Sequence, residues 1–155
     1  MSLTFTEEQL YELARWRDTL RETTIKQTQR VLRNHYEKCC CLGVYCHISP
    51  IGQWIDLNEG DLMLEHKWAF ETGCDHSELS PPHEVRKQLG LHQVITVDHL
   101  GRRTDRELAF VFTQLNDEHE WTFHQIADEI DYMIENKTLS PLAQDTLRWY
   151  LVEDN

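Results

Sequence analysis

Residues 121–135, WTFHQIADEIDYMIE, decide the fold class. Thr122 and Gln125 have the spacing of a capping box, in which the threonine hydroxyl accepts from the Gln125 amide and the glutamine side chain reaches back. Apolar residues then recur at helical spacing: Phe123, Ile126, Ala127, Ile130 and Ile134. The stretch therefore predicts a capped amphipathic helix with one buried face.

Start signals for further helices lie on both sides of this stretch. They are a capping box at Thr6-x-x-Gln9 for a helix over 7–22, Ser80-Pro81 for a helix closed by Gly90, a capping box at Thr104-x-x-Glu107 leading into Leu108, and Ser140-Pro141 for a final helix. Helix is therefore the main expectation along the chain.

Shorter segments have the pattern of strands. Residues 54–57 alternate and stop at a turn, and Ile95-Thr96-Val97 precedes a turn at Leu100-Gly101. Residues 30–33 could form a third strand, and residues 42–48 are helical or extended. We expect an α+β fold, predominantly helical, with about five helices and two or three short strands. Residues 1–155 are expected to form one domain, with 139–155 as an added C-terminal helix.

The charge is negative and unevenly distributed. The chain has 15 Lys and Arg against 27 Asp and Glu, a net charge of −12. Residues 1–40 carry 7 basic and 6 acidic side chains (+1), and residues 41–155 carry 8 and 21 (−13). The densest acidic stretch contains no Lys or Arg and comprises Asp117, Glu118, Glu120, Asp128, Glu129, Asp131 and Glu135. Such a field repels phosphate groups, so direct binding of nucleic acid or of a membrane is disfavoured.

Four residues of this stretch allow a second interpretation. His124, Asp128, Asp131 and Glu135 share one side of the predicted helix and could bind a hard metal or transfer protons. A solvated face beside an apolar stripe gives the same pattern and is far commoner.

Cysteine and histidine are concentrated in residues 35–47. A zinc site would combine Cys46 and His47 with Cys74 and His76, although the spacing lacks the paired ligands of known zinc frames. A helix that starts near Cys40 or Cys41 would lower the pKa of a thiol there. Free cysteine more often packs as a small buried residue. The prediction is therefore no cofactor, with zinc binding or thiol redox chemistry as the alternative.

The chain lacks the signals of export and of common catalytic sites. No apolar run is long enough to cross a bilayer, the N-terminus has no secretory pattern, and an odd count of 5 cysteines argues against a disulfide framework. A cytoplasmic location is expected. Phosphate-binding glycine loops and hydrolase motifs are absent, so the sequence gives enzyme activity no support.

Four segments in order carry a family resemblance: residues 16–33, the CCLGV segment at 40–44, residues 79–91, and Leu115-Asn116-Asp117 followed by residues 122–130. Together they resemble a group of small uncharacterised proteins of bacteriophages and bacteria. The chain departs from that group at Cys39, at Thr28 and Arg30 where glycine is usual, and beyond Ser140. The resemblance implies a viral or bacterial cytoplasmic setting and no particular activity.

Resemblance and charge together favour a non-enzymatic, phage-encoded accessory protein. It would bind another protein through the acidic stretch and inhibit a host defence or nucleic-acid-handling complex. A basic nucleic-acid-binding host protein is the expected partner, because ordered carboxylates can imitate spaced phosphates. The equally plain alternative is that the acidic composition serves only solubility.

Overall fold

A computed structural model describes residues 2–73 and 75–153. In chain order the elements are α1 (Glu7–Glu22), α2 (Cys41–Ile48), β1 (Gln53–Asp56), β2 (Trp68–Glu71), β3 (His76–Ser77), α3 (His83–Gln88), β4 (Val94–His99), β5 (Arg102–Glu107), α4 (Leu108–Asp117), α5 (Phe123–Asn136), α6 (Pro141–Leu147) and β6 (Trp149–Leu151). Helix makes up 40% and strand 19% of the described residues. The fold is α+β, as expected, but it is not predominantly helical.

The long helices begin where their caps predict. The hydroxyls of Thr6 and Thr122 accept from the backbone N–H of Gln9 and Gln125, and both reciprocal glutamine bonds are present. Ser140 caps α6 in the same way, with its hydroxyl accepting from the third helical residue. Helices α1 and α5 pack along each other and bury their apolar stripes.

The strands form two antiparallel sheets of three strands each, in the orders β1-β2-β3 and β5-β4-β6. A two-residue turn, Leu100 and Gly101, joins β4 to β5 with positive φ at both positions (52° and 83°). Such a turn matches the twist of a hairpin, and glycine adopts it without strain. Strand β4 is central and pairs with β6 through Val97 and Leu151.

A buried amide, Asn116 at the end of α4, joins α2 to the segment that precedes it. Its Oδ1 accepts from the backbone N–H of Cys41 at 3.0 Å and from Gln27 Nε2 at 2.8 Å. Its Nδ2 donates to the Thr28 carbonyl at 2.9 Å and to Asp117 Oδ1 at 2.8 Å. Because Asn116 is fully buried, these bonds are shielded from water. They fix the start of α2 against α4.

Helix α2 lies so close to the preceding segment that only glycine fits at position 43. A Cβ placed there would lie 1.9 Å from the carbonyl oxygen of Leu32. The N-cap of the same helix is Cys40, whose sulfur accepts from the backbone N–H of Gly43 at 3.4 Å. The CCLGV segment is therefore a packing motif that seats a short helix in the core.

One hydrophobic cluster contains buried residues from Leu3 to Trp149. It includes Trp16, whose indole N–H donates to the Cys41 carbonyl at 2.8 Å. In the described part of the chain, every helix is too short or too polar to span a bilayer.

Several expectations about individual elements were wrong. Thr104 does not cap a helix but lies in β5, where it pairs with Val97, and α4 starts later without a side-chain cap. Residues 30–33 form no strand beyond one bridge at Arg33. Helix α3 begins at His83, since Pro82 occupies its N-cap.

The C-terminal segment is not simply an added helix. After α6 the chain enters β6, the third strand of the second sheet. Leu139, Ala143, Leu147 and Trp149 are buried in the common cluster. This segment therefore completes both the sheet and the core.

We predict that Asn116→Ala lowers the free energy of unfolding by about 3 kcal/mol, because it leaves the Cys41 N–H and the Thr28 carbonyl buried without partners. Urea denaturation followed by circular dichroism measures the change. Asn136→Ala is the matched control, since Asn136 is exposed and makes only a local bond to the Tyr132 carbonyl. A loss below about 1 kcal/mol for Asn116→Ala, the value of an ordinary hydrogen bond, would contradict the proposed role.

Candidate functional site: an acidic groove between α1 and α3

A concavity lies between the first turns of α1 and helix α3, and we call it the α1–α3 groove. Its volume is about 700 Å³. The residues that line it are Thr6, Glu7, Glu8, Gln9, Tyr11, Glu12, Ile51, Glu84, Lys87 and Gln88. Four carboxylates thus face one lysine around an opening that is large enough for several side chains.

A buried polar network forms the floor of the groove. The Tyr45 hydroxyl lies 2.9 Å from Glu12 Oε2 and 3.0 Å from Gln88 Oε1. Arg15 Nη1 donates to both carboxylate oxygens of Glu12, to Oε1 at 3.0 Å and to Oε2 at 2.8 Å. Burial, together with the Glu12 carboxylate, raises the pKa of Tyr45, so the phenol remains protonated. The floor is therefore preorganised, with its polar groups already bonded.

The rim of the groove is both acidic and apolar. Glu7 and Glu8 lie in the first turn of α1, where the helix dipole stabilises carboxylates. Tyr11 is 66% exposed, and Ile51 is also exposed. A cationic side chain could lay its aliphatic stem against these two residues and place its charged end at the carboxylates.

The sequence alone did not predict this groove. Its residues come from α1, from the loop before β1 and from α3, which are distant in sequence. One signal was available: Tyr11 is a large aromatic residue outside the apolar stripe of α1, so it had to be exposed.

The acidic stretch 117–135 is not the uniform face that its sequence indicates. Asp117 and Glu118 end α4, and exposed Glu120 occupies the following turn. The guanidinium Nη2 of Arg30 lies 3.7 Å from Glu118 Oε1. Asp128, Asp131 and exposed Glu135 follow on α5.

Two arginines from α1 neutralise the middle of that stretch. Arg17 pairs with Asp131 at 2.8 Å, and Arg21 pairs with Asp131 at 2.6 Å and with Asp128 at 2.9 Å. Burial alone would raise the pKa of Asp131, but the hydrogen bonds from Arg21 and Arg17 outweigh it and hold that pKa below its ordinary value. These carboxylates join α1 to α5. The metal or proton-transfer site that we considered with His124 gains no support, because its central members are held in ion pairs.

Glu129 is not on the surface. It is 3% exposed, and its carboxylate accepts from the backbone N–H and the hydroxyl of Ser140. Burial raises the pKa of Glu129 despite these bonds. Its role is to hold the start of α6 against α5, so it cannot contribute to an acidic binding face.

The four zinc candidates do not form a site in the part of the chain that the structure describes. Cys46 is buried on α2. His47 is exposed, and its Nδ1 accepts from the Trp54 indole at 3.1 Å. His76 lies on β3, and Cys74 falls outside the described residues. Within 2–73 and 75–153, no three Cys, His, Asp or Glu side chains are placed to hold one ion.

The thiols of Cys39, Cys40, Cys41 and Cys46 are all buried. Burial raises the pKa of Cys39 to about 11 and that of Cys40 to about 12. A helix does begin at Cys41, but desolvation outweighs the bonds that the backbone donates to Cys40. Since the thiolate is the reactive form, these cysteines behave as core residues.

A family model described as Domain of unknown function (DUF8296) matches residues 12–136. Searches of the curated proteins and of the solved structures give no match. The matched region contains the Asn116–Cys41 contact and ends before α6.

We predict that the four buried thiols are unreactive in the folded protein, because they are protonated and shielded from solvent. In a Cys74→Ser variant, Ellman's reagent at neutral pH should label less than about half an equivalent, and about four equivalents after unfolding in guanidinium. A rapid reaction of one full equivalent with the native variant would show an accessible thiolate instead.

We predict that Asp131→Asn lowers the free energy of unfolding by about 1 kcal/mol at pH 7. The folded pKa of Asp131 lies below its ordinary value of 3.8, so its contribution is present above that value and is lost as pH falls through the folded pKa. The difference between wild type and variant should therefore shrink below about pH 4.

Denaturation by urea across this pH range measures that difference. Glu135→Gln, on the same helix at an exposed position, is the control and should have little effect at any pH. A deficit of Asp131→Asn that stays constant down to the lowest pH would exclude the ion pairs as its cause.

Proposed function

The chain belongs to the DUF8296 family, and we propose that it is a non-enzymatic accessory protein that binds a basic segment of a partner protein in the α1–α3 groove. One observation carries the proposal: Glu7, Glu8 and Glu84 line a groove of about 700 Å³ together with the exposed Tyr11, while Glu12 is already held by Arg15.

The groove suits lysine and arginine for physical reasons. The long aliphatic stems of these side chains gain by covering Tyr11 and Ile51, while their charged ends stay near carboxylates and water. The face of Tyr11 can also attract a cation. Because the floor residues Glu12 and Gln88 are held by Arg15 and Tyr45, little reorganisation accompanies binding.

Complementary charge also identifies the kind of partner. Proteins that handle nucleic acids carry clustered lysine and arginine, and a net charge of −12 favours their approach. A bacteriophage origin, which the resemblance implies, would make the partner a host protein. By occupying its basic segment, the chain would compete with nucleic acid and inhibit a host defence or nucleic-acid-handling complex.

Two earlier interpretations have less support. The stretch 117–135 is a weaker candidate for the binding surface than the groove, because Arg17 and Arg21 neutralise Asp128 and Asp131. A zinc or thiol-redox function built on residues 39–47 gains no support from the described residues, since burial raises the pKa of their thiols.

We predict that Glu8→Gln with Glu84→Gln weakens the binding of a fluorescein-labelled peptide of Arg, Lys and Leu by roughly tenfold, since each lost charge removes part of the attraction. Fluorescence anisotropy at low salt measures the dissociation constant, and added salt should weaken binding to wild type.

The control is Glu22→Gln with Glu135→Gln, which removes the same charge from exposed positions outside the groove. It should change the dissociation constant by less than about twofold. Equal effects of the two double variants would mean that net charge alone attracts the peptide, and the groove would lose its assigned role.

A further inference from the structure

The loop between β1 and β2 exposes three consecutive apolar side chains, which we call the apolar tip: Leu62, Met63 and Leu64. They are 99%, 91% and 57% exposed. Within residues 2–73 and 75–153, the other large apolar residues at the surface do not form such a run. A run of this kind on a surface loop is unfavourable in water, which makes it a candidate for contact with a partner.

Side chains at the base of the loop hold it in a defined shape. Asp56 Oδ1 accepts from the backbone N–H groups of Asn58 and Lys67, at 3.0 and 3.2 Å. Asn58 Nδ2 donates to the Glu65 carbonyl at 2.6 Å. Asp61 Oδ1 accepts from the backbone N–H of Met63 at 3.0 Å. Because these bonds constrain the backbone, the apolar tip loses little conformational freedom on docking.

The charges beside the apolar tip indicate which kind of binding partner can contact it. Glu59, Asp61 and Glu65 are exposed around it. Basic side chains beside the loop already contact carboxylates: Lys67 lies 3.6 Å from Glu78, His35 lies 3.5 Å from Glu65, and His66 contacts Asp56. Glu59 and Asp61 are the carboxylates that face solvent nearest to the apolar tip in sequence. The local field is therefore negative. It repels anionic lipid, and it also repels a second copy of a chain with net charge −12.

We propose that the apolar tip inserts into an apolar pocket rimmed by lysine or arginine on a partner protein. Leucine and methionine supply the buried contact, and the flanking carboxylates pair with the basic rim. Methionine adapts its shape to such pockets more readily than branched side chains do. The inference rests on the proposed function, a protein partner with basic character, but it uses a different surface.

The apolar tip and the α1–α3 groove can contact the same partner. Ile51 lines the groove just before β1, and the loop follows the end of the same strand. A strand of four residues, Gln53–Asp56, spans roughly 13 Å. One protein could therefore reach both surfaces, and binding at one would raise the effective concentration at the other.

The probe is a yeast-displayed library of random peptides, selected with the full chain at low salt. Enriched peptides are synthesised, and their dissociation constants are measured for wild type and for Leu62→Ser/Met63→Ser/Leu64→Ser. Since these side chains are exposed, the triple variant should unfold within about 2 °C of wild type. Leu142→Ser, at another exposed leucine, is the matched control.

We expect enriched peptides that combine bulky apolar residues with lysine or arginine. They should bind the triple variant at least tenfold more weakly, and bind Leu142→Ser as they bind wild type. If the enriched peptides still bind the Glu8→Gln/Glu84→Gln variant, the two surfaces act separately. The apolar tip is then supported as a binding surface even when the charge changes in the groove have no effect on the basic peptide.

Four outcomes would overturn the proposal. They are a library without tip-dependent binders, enriched peptides that lack basic residues, self-association of wild type that the triple variant abolishes, and tip-dependent binding to phosphatidylglycerol vesicles. Light scattering after size exclusion detects the third outcome, and vesicle sedimentation detects the fourth.

Discussion

The fold depends on a hydrogen-bond partner for the buried backbone N–H at the start of α2, and the side-chain amide of Asn116 provides it. Asn116 accepts from the backbone N–H of Cys41 and donates to the backbone carbonyl of Thr28. A single side chain therefore fixes the relative positions of α4, α2 and the segment between α1 and α2. The absence of a side chain at Gly43 lets the same helix approach the Leu32 backbone. A buried polar group is costly unless bonded, so this arrangement tolerates little variation. Both motifs, CCLGV and Leu115-Asn116-Asp117, lie in the region that the family model matches.

Local chemistry made part of this fold predictable. The caps at Thr6, Thr122 and Ser140 mark helix starts correctly, because they depend only on neighbouring residues. Strand β5, with the sequence RRTDRE, was missed because it has no apolar residue and is defined by pairing with β4. The groove and the Arg17–Asp131 pair were missed for the same reason: both join segments that are far apart in the chain.

The acidic side chains of this molecule fall into two structural classes, those in ion pairs or buried hydrogen bonds and those at the surface. Asp128 and Asp131 hold α5 against α1, and Glu129 holds α6, so part of the acidic composition is structural. Other carboxylates remain at the surface, in the groove and beside the loop between β1 and β2. A count along the sequence cannot separate these classes, because the compensating arginines come from α1.

The second sheet has a consequence for the relatives of this chain. Strand β6 lies beyond the region that the family model matches, yet it covers one side of β4 from Val97 to His99. A relative without an equivalent of β6 would leave those backbone N–H and C=O groups unpaired. It would have to complete the sheet with a strand donated by another molecule, or with a different segment of its own chain. Length variation at this end of the family would therefore alter assembly together with the part of the core that Leu147 and Trp149 complete.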